Sequence, residues 1–484
     1  MIAPRLLVSA AHKSSGKTTI SVGLCAALRE QGRVVQAFKK GPDYIDPMWL
    51  AQATGRDCFN LDPYLSGHDE IVAMFARCAQ GADISIVEGN KGLYDGLALD
   101  GSNSNAALAH MLALPVLLVI DAQGMTRGVA PLILGYQAFD RNIRIAGVVL
   151  NKLGGSRHEA KLRAVIEHYT DVLVLGAVAS DPGLSLIERH LGLMPNAELD
   201  DAAERVQGLG QRIAAQVDLR RIVEIANSAG TLPEPLPLRS GGAAPRSPRQ
   251  TPVLIGIARD KAFGFYYPDD LEALRAAGAE LLPFDILHDA RLPAVDALFI
   301  GGGFPEVFMA ELEANGSLRG EIAAAIAAGL PAYAECGGLM YLARSLSWQG
   351  RTCRMVGAIP GDVTMHERPV GRGYVRLRPT AQHPWPAACS GVDDNVLAHE
   401  FHYSSLDNLA PEVQFAYRVE RGHGVDGRHD GLIHRNLLAS YAHLRGVGAG
   451  GWPERFVAFV RATKCSAATA AKRPGPVAES AALC

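Results

Sequence analysis

Residues 5–19 read RLLVSAAHKSSGKTT, an apolar run followed by a loop of small and polar residues. The run has the length and composition of a buried strand, and an apolar spacing typical of a helix begins after Lys17. The loop matches the phosphate-binding pattern GxxxxGK[ST], except that Ala11 replaces the first glycine. A strand, a glycine-containing loop and a helix in this order predict a nucleotide-binding α/β domain.

Backbone N–H groups of such a loop converge on phosphate oxygens at the helix N-terminus. Lys17 is expected to reach the β- and γ-phosphates. Asn151 ends a later apolar strand, and it is expected either to read the adenine or to act as a cap. The predicted ATP-binding residues are Ser14, Ser15, Gly16, Lys17, Thr18, Thr19, Lys39 and Asn151.

Two segments rich in glycine and acidic residues follow predicted strands. They are KKGPDYIDP, residues 39–47, and VEGNKGLYDG, residues 87–96. Mg²⁺ prefers oxygen ligands, and a nucleotide bound over a parallel sheet lies at the carboxyl ends of its strands. The sequence therefore predicts a Mg²⁺ site built from Thr18, Asp43 and Glu88. A solvated charged turn is the alternative for residues 39–47.

The alternation of apolar strands and helical segments recurs along the chain and predicts two α/β domains with parallel sheets. Residues 1–231 form the first. Residues 232–252 read LPEPLPLRSGGAAPRSPRQTP, which is typical of a linker. The second domain is predicted over residues 253–464, and the Ala- and Pro-rich residues 465–484 are predicted to be a disordered tail.

Composition excludes several classes of protein. The 484 residues carry a net charge of -3 with no long basic stretch, so nucleic acid is not an expected partner. No apolar run is long enough to span a membrane and no signal peptide is recognisable, so a cytoplasmic protein without a membrane partner is expected. The 8 cysteines include no CxxC pair, which argues against a zinc site or disulfide framework.

One cysteine lies in a context typical of a nucleophile. Residues 330–343 read LPAYAECGGLMYLA, so Cys336 falls between a strand and an apolar helix, where the helix N-terminus favours thiolate. A second strand ends in GGGFPE, residues 301–306. Backbone N–H groups of Gly302, Gly303 and Gly337 are the predicted oxyanion hole. A buried structural cysteine is the alternative.

A thiol nucleophile needs a base, and the second domain contains several histidines. His443 in the apolar segment LLASYAHLR is the predicted base. His399 and His402 in LAHEFHYSS are its rivals, and His434 is a further candidate.

Together these motifs resemble the cobyrinic acid a,c-diamide synthase family, including its hydrogenobyrinic acid counterparts. The resemblance spans residues 5–445 through SSGKTT, KKGPDYIDP, VEGNKGLYDG, ERHLGL, GGGFPE, AECGGLMYL, EFHYS and ASYAHL. The first domain is similar to dethiobiotin synthetase, whose P-loop threonine and two acids hold Mg²⁺; this corresponds to Thr18, Asp43 and Glu88. The second resembles class I triad-type glutamine amidotransferases. Family precedent also makes Asp46 and Asp95 candidates for positioning substrate or metal.

The resemblance implies glutamine hydrolysis at Cys336 and ATP-dependent phosphorylation of corrin carboxylates a and c, which ammonia then converts to amides. The ring substrate is either cobyrinate or hydrogenobyrinate, and a homodimer is common among such synthetases. Many triad amidotransferases carry Glu two residues after the histidine, where this chain has Arg445, so a dyad of Cys336 and His443 is expected. The alternatives are a cobyric acid synthase-type amidotransferase, a partition-type regulatory P-loop ATPase, and a nucleotide-binding protein with an inactive amidase domain.

Overall fold

The fold is that of a computed structural model, which describes residues 3–184, 186–189, 192–232, 251–386, 395–446 and 451–471. The chain divides into two compact units, Met1–Arg239 and Ser240–Cys484. The division falls within the predicted linker, of which residues 233–250 lie outside the described residues, as do residues 190–191 of the ERHLGL segment. Within the described ranges, no helix is both long and apolar enough to cross a membrane.

A seven-stranded parallel sheet organises the first unit, as the sequence predicted. In spatial order its strands are Phe59–Leu61, Val35–Lys40, Ile84–Glu88, Arg5–Ala10, Val116–Asp121, Ile145–Leu153 and Val174–Ala179. Parallel neighbours need crossover connections, which helices supply. The helices of this unit are Lys17–Glu30, Ile45–Thr54, His68–Cys78, Asn105–Met111, Val129–Phe139, Ser156–Tyr169, Ala202–Ala214 and Leu219–Asn227.

Strand register brings the chemically important residues of this sheet to one edge. Glu88 is the register partner of Lys39 on one side and of Val8 on the other. Partners on adjacent parallel strands project their side chains to the same face. Lys39 and Glu88 therefore lie side by side, next to the strand that leads into the phosphate loop.

The second unit contains a ten-stranded mixed sheet. In spatial order its strands are Ala279–Phe284, Val253–Ala258, Ala297–Ile300, Ala332–Glu335, Leu437–Ser440, His429–His434, Gln414–Arg421, Gly371–Pro379, Val396–His402 and His443–Leu444. The first five are parallel, and the remaining pairs are antiparallel. Smaller sheets contain Phe263–Phe265 with Gly302–Gly303, and Arg351–Arg354, Ala343–Trp348, Ile359–Met365 and Ser404–Asp407.

Five helices complete the described part of this unit: Pro268–Ala276, Met309–Ala314, Gly316–Ala327, Gly337–Leu342 and Trp452–Ala471. The last helix packs Trp452, Phe456 and Val460 into the core. It extends to Ala471, beyond residue 464 where the sequence predicted the domain to end, so residues 465–471 are helical rather than a disordered tail. Residues 472–484 of the predicted tail lie outside the described residues.

Candidate active sites

The phosphate loop is held in shape by side chains from another strand. Gly16 ends the loop with φ +85, and a Cβ there would overlap Asn151 Nδ2, so glycine is required. That Nδ2 donates to the Ser15 carbonyl at 2.9 Å, and Lys152 Nζ donates to the Ser14 carbonyl at 2.9 Å. Asn151 thus stabilises the loop backbone, whereas the sequence had suggested that it reads the adenine or acts as a cap.

Three further predicted ATP-binding residues, Lys17, Thr18 and Thr19, lie in the first turn of the helix Lys17–Glu30. Lys17 is only 7% exposed, and burial, followed by repulsion from Lys39, lowers its pKa to about 8. Thr18 and Thr19 follow it, both half-buried. The cluster of donors at this helix start is suited to phosphate oxygens.

A compact polar cluster lies beside Thr18. The Thr18 hydroxyl donates to Glu88 Oε1 at 2.7 Å and to Asp46 Oδ2 at 3.3 Å. Lys39 Nζ is 2.9 Å from Glu88 Oε1 and 2.5 Å from Asp46 Oδ2. Burial alone would lower the pKa of Lys39, but the two carboxylates together raise it above its usual value. Burial also raises the pKa of Glu88.

Asp43, predicted as a metal ligand, has a different environment. Its Oδ1 accepts the N–H groups of Ile45 at 2.8 Å and of Asp46 at 3.1 Å, so it caps the start of the helix Ile45–Thr54. Burial, followed by the charge of Asp46, raises the pKa of Asp43 to about 7. In the structure it is Asp46, rather than Asp43, that contacts Thr18. An acidic residue just before a helix start is the sequence signal for such a cap.

The oxygen atoms of this cluster fit Mg²⁺. Glu88 Oε2 is buried and makes no hydrogen bond to any described residue, which leaves it available as a ligand. Among the described residues no three His, Cys, Asp or Glu side chains form a complete metal site. In a P-loop site, substrate phosphates and water supply most Mg²⁺ ligands. Thr18, Glu88 and Asp46 fit the protein share of the ligand set.

The loop that follows Glu88 is organised by a residue that sequence reasoning missed. Asn105 Nδ2 donates to the carbonyls of Asn90 at 2.5 Å and Gly92 at 2.8 Å. Asp95 is exposed, and its Oδ2 accepts the N–H of Gly92 at 2.9 Å. Asp95 is therefore accessible to a ligand while it also shapes its own loop.

In the second unit, Cys336 lies on a strained turn between strand Ala332–Glu335 and helix Gly337–Leu342. Its φ is +46, a conformation that costs energy in a non-glycine residue and is concentrated at functional sites. Its N–H donates to the Ser440 carbonyl at 2.7 Å. Burial, followed by the charge of Glu306, raises the pKa of the Cys336 thiol, so thiolate formation depends on a neighbouring base.

The predicted oxyanion-hole glycines and His443 converge on this turn. A Cβ at Gly337 would lie 2.9 Å from Gly303 N, and a Cβ at Gly302 would lie 2.7 Å from His443 Cε1. Side chains would fill the space between these segments, so glycine allows the close approach. The structure thus brings Cys336, the three glycines and His443 together.

The rival histidines have other partners. His399 stacks on His443 with ring centroids 4.8 Å apart, and its Nδ1 lies 3.3 Å from Tyr267 Oη. His402 stacks on Tyr441, and its Nδ1 lies 2.8 Å from the Ser404 carbonyl. His434 ends the strand His429–His434 and pairs with Leu437 across a hairpin. Of the four histidines, His443 is the one against Gly302.

Comparisons with known proteins assign each unit to a domain family. Residues 7–193 match the CobQ/CobB/MinD/ParA nucleotide binding domain, and residues 254–446 match the CobB/CobQ-like glutamine amidotransferase domain. A cobyrinate a,c-diamide synthase of Magnetococcus marinus is 46% identical over 460 residues, covering 95% of this chain and 97% of its own. One from Methanosarcina acetivorans is 44% identical, covering 92% and 93%.

Among solved structures, PurLQS from Thermotoga maritima aligns over 45% of this chain and 100% of its own, at 16% identity and a TM-score of 0.34. That likeness is too low to support an inference. The identities over nearly the full length of both curated relatives are decisive, and the chain belongs to the cobyrinate a,c-diamide synthase family.

Proposed function

We propose that this protein transfers the amide nitrogen of glutamine to the a and c carboxylates of cobyrinate or hydrogenobyrinate, with consumption of ATP, in cobalamin biosynthesis. One observation carries the proposal: a single chain contains a phosphate loop beside a carboxylate cluster and a cysteine on a strained turn beside a histidine. The second site can release ammonia, and the first can activate a carboxylate to receive it. We place the reaction in the cytoplasm, where ATP and glutamine are available.

In the glutaminase half-reaction, Cys336 attacks the side-chain carbonyl carbon of glutamine while His443 takes the thiol proton. The N–H groups of Gly302, Gly303 and Gly337 stabilise the oxyanion. The histidine returns the proton to the leaving ammonia, and a thioester remains on Cys336. Water then hydrolyses the thioester to glutamate and restores the thiol.

In the synthetase half-reaction, a corrin carboxylate oxygen takes the γ-phosphoryl group of ATP and ADP leaves. Ammonia attacks the acyl phosphate, and inorganic phosphate leaves as the amide forms. The loop from Ser14 to Thr19 binds the ATP phosphates, with Lys17 and Lys39 offsetting their charge and Asn151 bracing the loop. Mg²⁺ bound by Thr18, Glu88 and Asp46 would neutralise charge that develops on the phosphates.

Asp46 and Asp95 are also proposed to position the corrin. Asp46 is 15% exposed beside Lys39, and Asp95 is exposed on the loop after Glu88. Asp43 would support the metal site only indirectly, because its side chain accepts a hydrogen bond from the N–H of Asp46.

The test is incubation of the protein with ATP, Mg²⁺, glutamine and each corrin in turn, with products weighed by mass spectrometry. Two amidations of one corrin are expected. Amidation of the other side chains of an a,c-diamide would indicate the cobyric acid synthase-type reaction. ATP hydrolysis stimulated by DNA or membranes without any amidated product would indicate a partition-type ATPase.

A second arm separates the two half-reactions. Cys336→Ser should abolish glutamine-dependent amidation and retain amidation with free ammonia, because the phosphate loop belongs to the other compact unit. Continued glutamine hydrolysis by this variant would reject Cys336 as the nucleophile.

A further inference from the structure

Glu335 is the last residue of the strand that leads into Cys336, and its side chain is only 4% exposed. Its Oε2 lies 3.3 Å from His443 Nδ1. Its Oε1 accepts the N–H of Leu444 at 3.0 Å and the hydroxyl of Tyr333 at 2.5 Å. These contacts from His443, Leu444 and Tyr333 fix the direction of the Glu335 carboxylate.

The strand pairing explains why this carboxylate reaches the imidazole. Glu335 is the register partner of Ser440; the chain then bends at residues 441–442, and the N–H of Leu444 donates to Glu335 Oε1. Asp430 holds the other side of this turn, where it accepts from Ser440 Oγ at 2.7 Å and from Ala442 N at 2.9 Å. Both buried carboxylates, Glu335 and Asp430, therefore hold the segment that contains His443. Glu335 is the one whose carboxylate is in contact with the His443 ring.

Two other groups near this segment, His399 and Arg445, cannot take this role. His399 stacks on the His443 ring and carries no negative charge, and burial, followed by His443 and Arg445, lowers the pKa of His399. Arg445 is cationic, and its Nη2 donates to Asp269 Oδ2 at 2.6 Å. Of these neighbours, Glu335 is the one that can accept an N–H from Nδ1 and balance a positive imidazolium.

We propose that Glu335 is a positioning residue for the glutaminase reaction. The His443 Nδ1–H donates to Glu335 Oε2, which leaves Nε2 as the base that takes the Cys336 proton. When that proton moves, it stays on Nε2, and the new imidazolium is stabilised by the Glu335 carboxylate. The proposal rests on the assignment of Cys336 and His443 as nucleophile and base, and it replaces the expected dyad with a set of three residues.

The test compares Glu335→Gln with Glu400→Gln. Glu400 is a matched control in the same unit: it is a buried carboxylate that accepts the N–H groups of His423 at 2.7 Å and Gly424 at 2.8 Å, and it lies 3.8 Å from His402 Nε2. Each variant is assayed for kcat and KM of glutamine hydrolysis, alkylation of Cys336 by iodoacetamide, ammonia-dependent amidation and melting temperature.

In Glu335→Gln, kcat should fall by about 10²- to 10⁴-fold, because an amide that donates to Nδ1 favours the wrong histidine tautomer. KM for glutamine should stay within about twofold, since Glu335 acts through His443 rather than on the substrate. Alkylation of Cys336 should slow in parallel, while ammonia-dependent amidation is retained. In a His443→Asn background the same change should add no further loss, since the two residues act as a unit.

Normal kcat and alkylation in Glu335→Gln would overturn the proposal, and so would an equal loss in Glu400→Gln or full additivity with His443→Asn. Should Glu335→Gln yield too little folded protein, Glu335→Asp keeps the charge but draws it away from Nδ1; a normal kcat there would also overturn it. Glutamine hydrolysis by Cys336→Ser is a separate result, which would reject the proposed nucleophile and this role of Glu335 with it.

Discussion

Replacing Gly302 with alanine pushes a methyl group toward His443. The added Cβ would lie 2.7 Å from His443 Cε1, whereas ordinary contacts begin at 3.4 Å, so the ring or the strand must shift by about 0.7 Å. Gly302 does not have a positive φ, so alanine is compatible with its backbone, and the contact with His443 is the shortest that the added Cβ would make. A misplacement approaching 1 Å can lower turnover by about 10²-fold. We expect that loss in kcat for glutamine hydrolysis.

Glutamate release measures the glutaminase, and amidation with free ammonia is followed in parallel. Ammonia-dependent amidation should be unchanged, because it requires only the first unit. Gly320→Ala is the matched control: it lies in the helix Gly316–Ala327, and its added Cβ meets nothing within 4 Å. That variant should keep glutamine hydrolysis and gain about 0.5–1 kcal/mol of stability. A wild-type rate in Gly302→Ala, or an equal fall in ammonia-dependent amidation, would refute the reasoning.

Two further predictions concern other carboxylates and a half-buried histidine. Asp46→Asn should raise the Mg²⁺ concentration needed for half-maximal amidation by about 10- to 100-fold. Asp43→Ala should instead lower the stability by about 1 kcal/mol, because the helix loses its cap. The opposite pattern in Mg²⁺ titrations and melting curves would return the metal site to Asp43. Burial, followed by the charge of Arg455, lowers the pKa of His383 from 6.5 to about 3. The unfolded chain therefore binds a proton there more readily, and stability should fall as the pH drops from about 6.5 toward 3. The melting temperature of His383→Gln should therefore fall less steeply with decreasing pH than that of the unaltered protein. Identical slopes would contradict the assignment.

The parts of the fold that carry local signals were predictable from the sequence. The run RLLVSA coincides with the strand Arg5–Ala10, and the helix begins at Lys17 within the phosphate-loop motif. Cys336 lies on the predicted turn between a strand and an apolar helix. In each case a few adjacent residues determine the geometry through apolar spacing and glycine, so no knowledge of distant contacts was needed.

Contacts between distant residues could not be predicted in the same way. Asn151 reaches Ser15 across 136 residues, and Glu335 reaches His443 across 108. Within KKGPDYIDP the pattern offered two acids, and only the helix start at Ile45 determines that Asp43 caps while Asp46 faces Thr18. The sequence suggested a dyad because no acidic residue lies two positions after His443. Spacing along the chain cannot show that Glu335, on another strand, lies next to His443.

The two candidate sites share a physical design although their chemistry differs. Each has a buried glutamate at the last residue of a parallel strand: Glu88 in the first unit and Glu335 in the second. At that position a side chain is fixed by the sheet and lies at the edge where a loop leads into a helix. Glu88 accepts from the Thr18 hydroxyl of the phosphate loop, and Glu335 lies against His443 beside the nucleophile turn. Because the sheet, rather than a loop, holds each carboxylate, its oxygens keep a fixed position next to the hydroxyl or the imidazole that they contact.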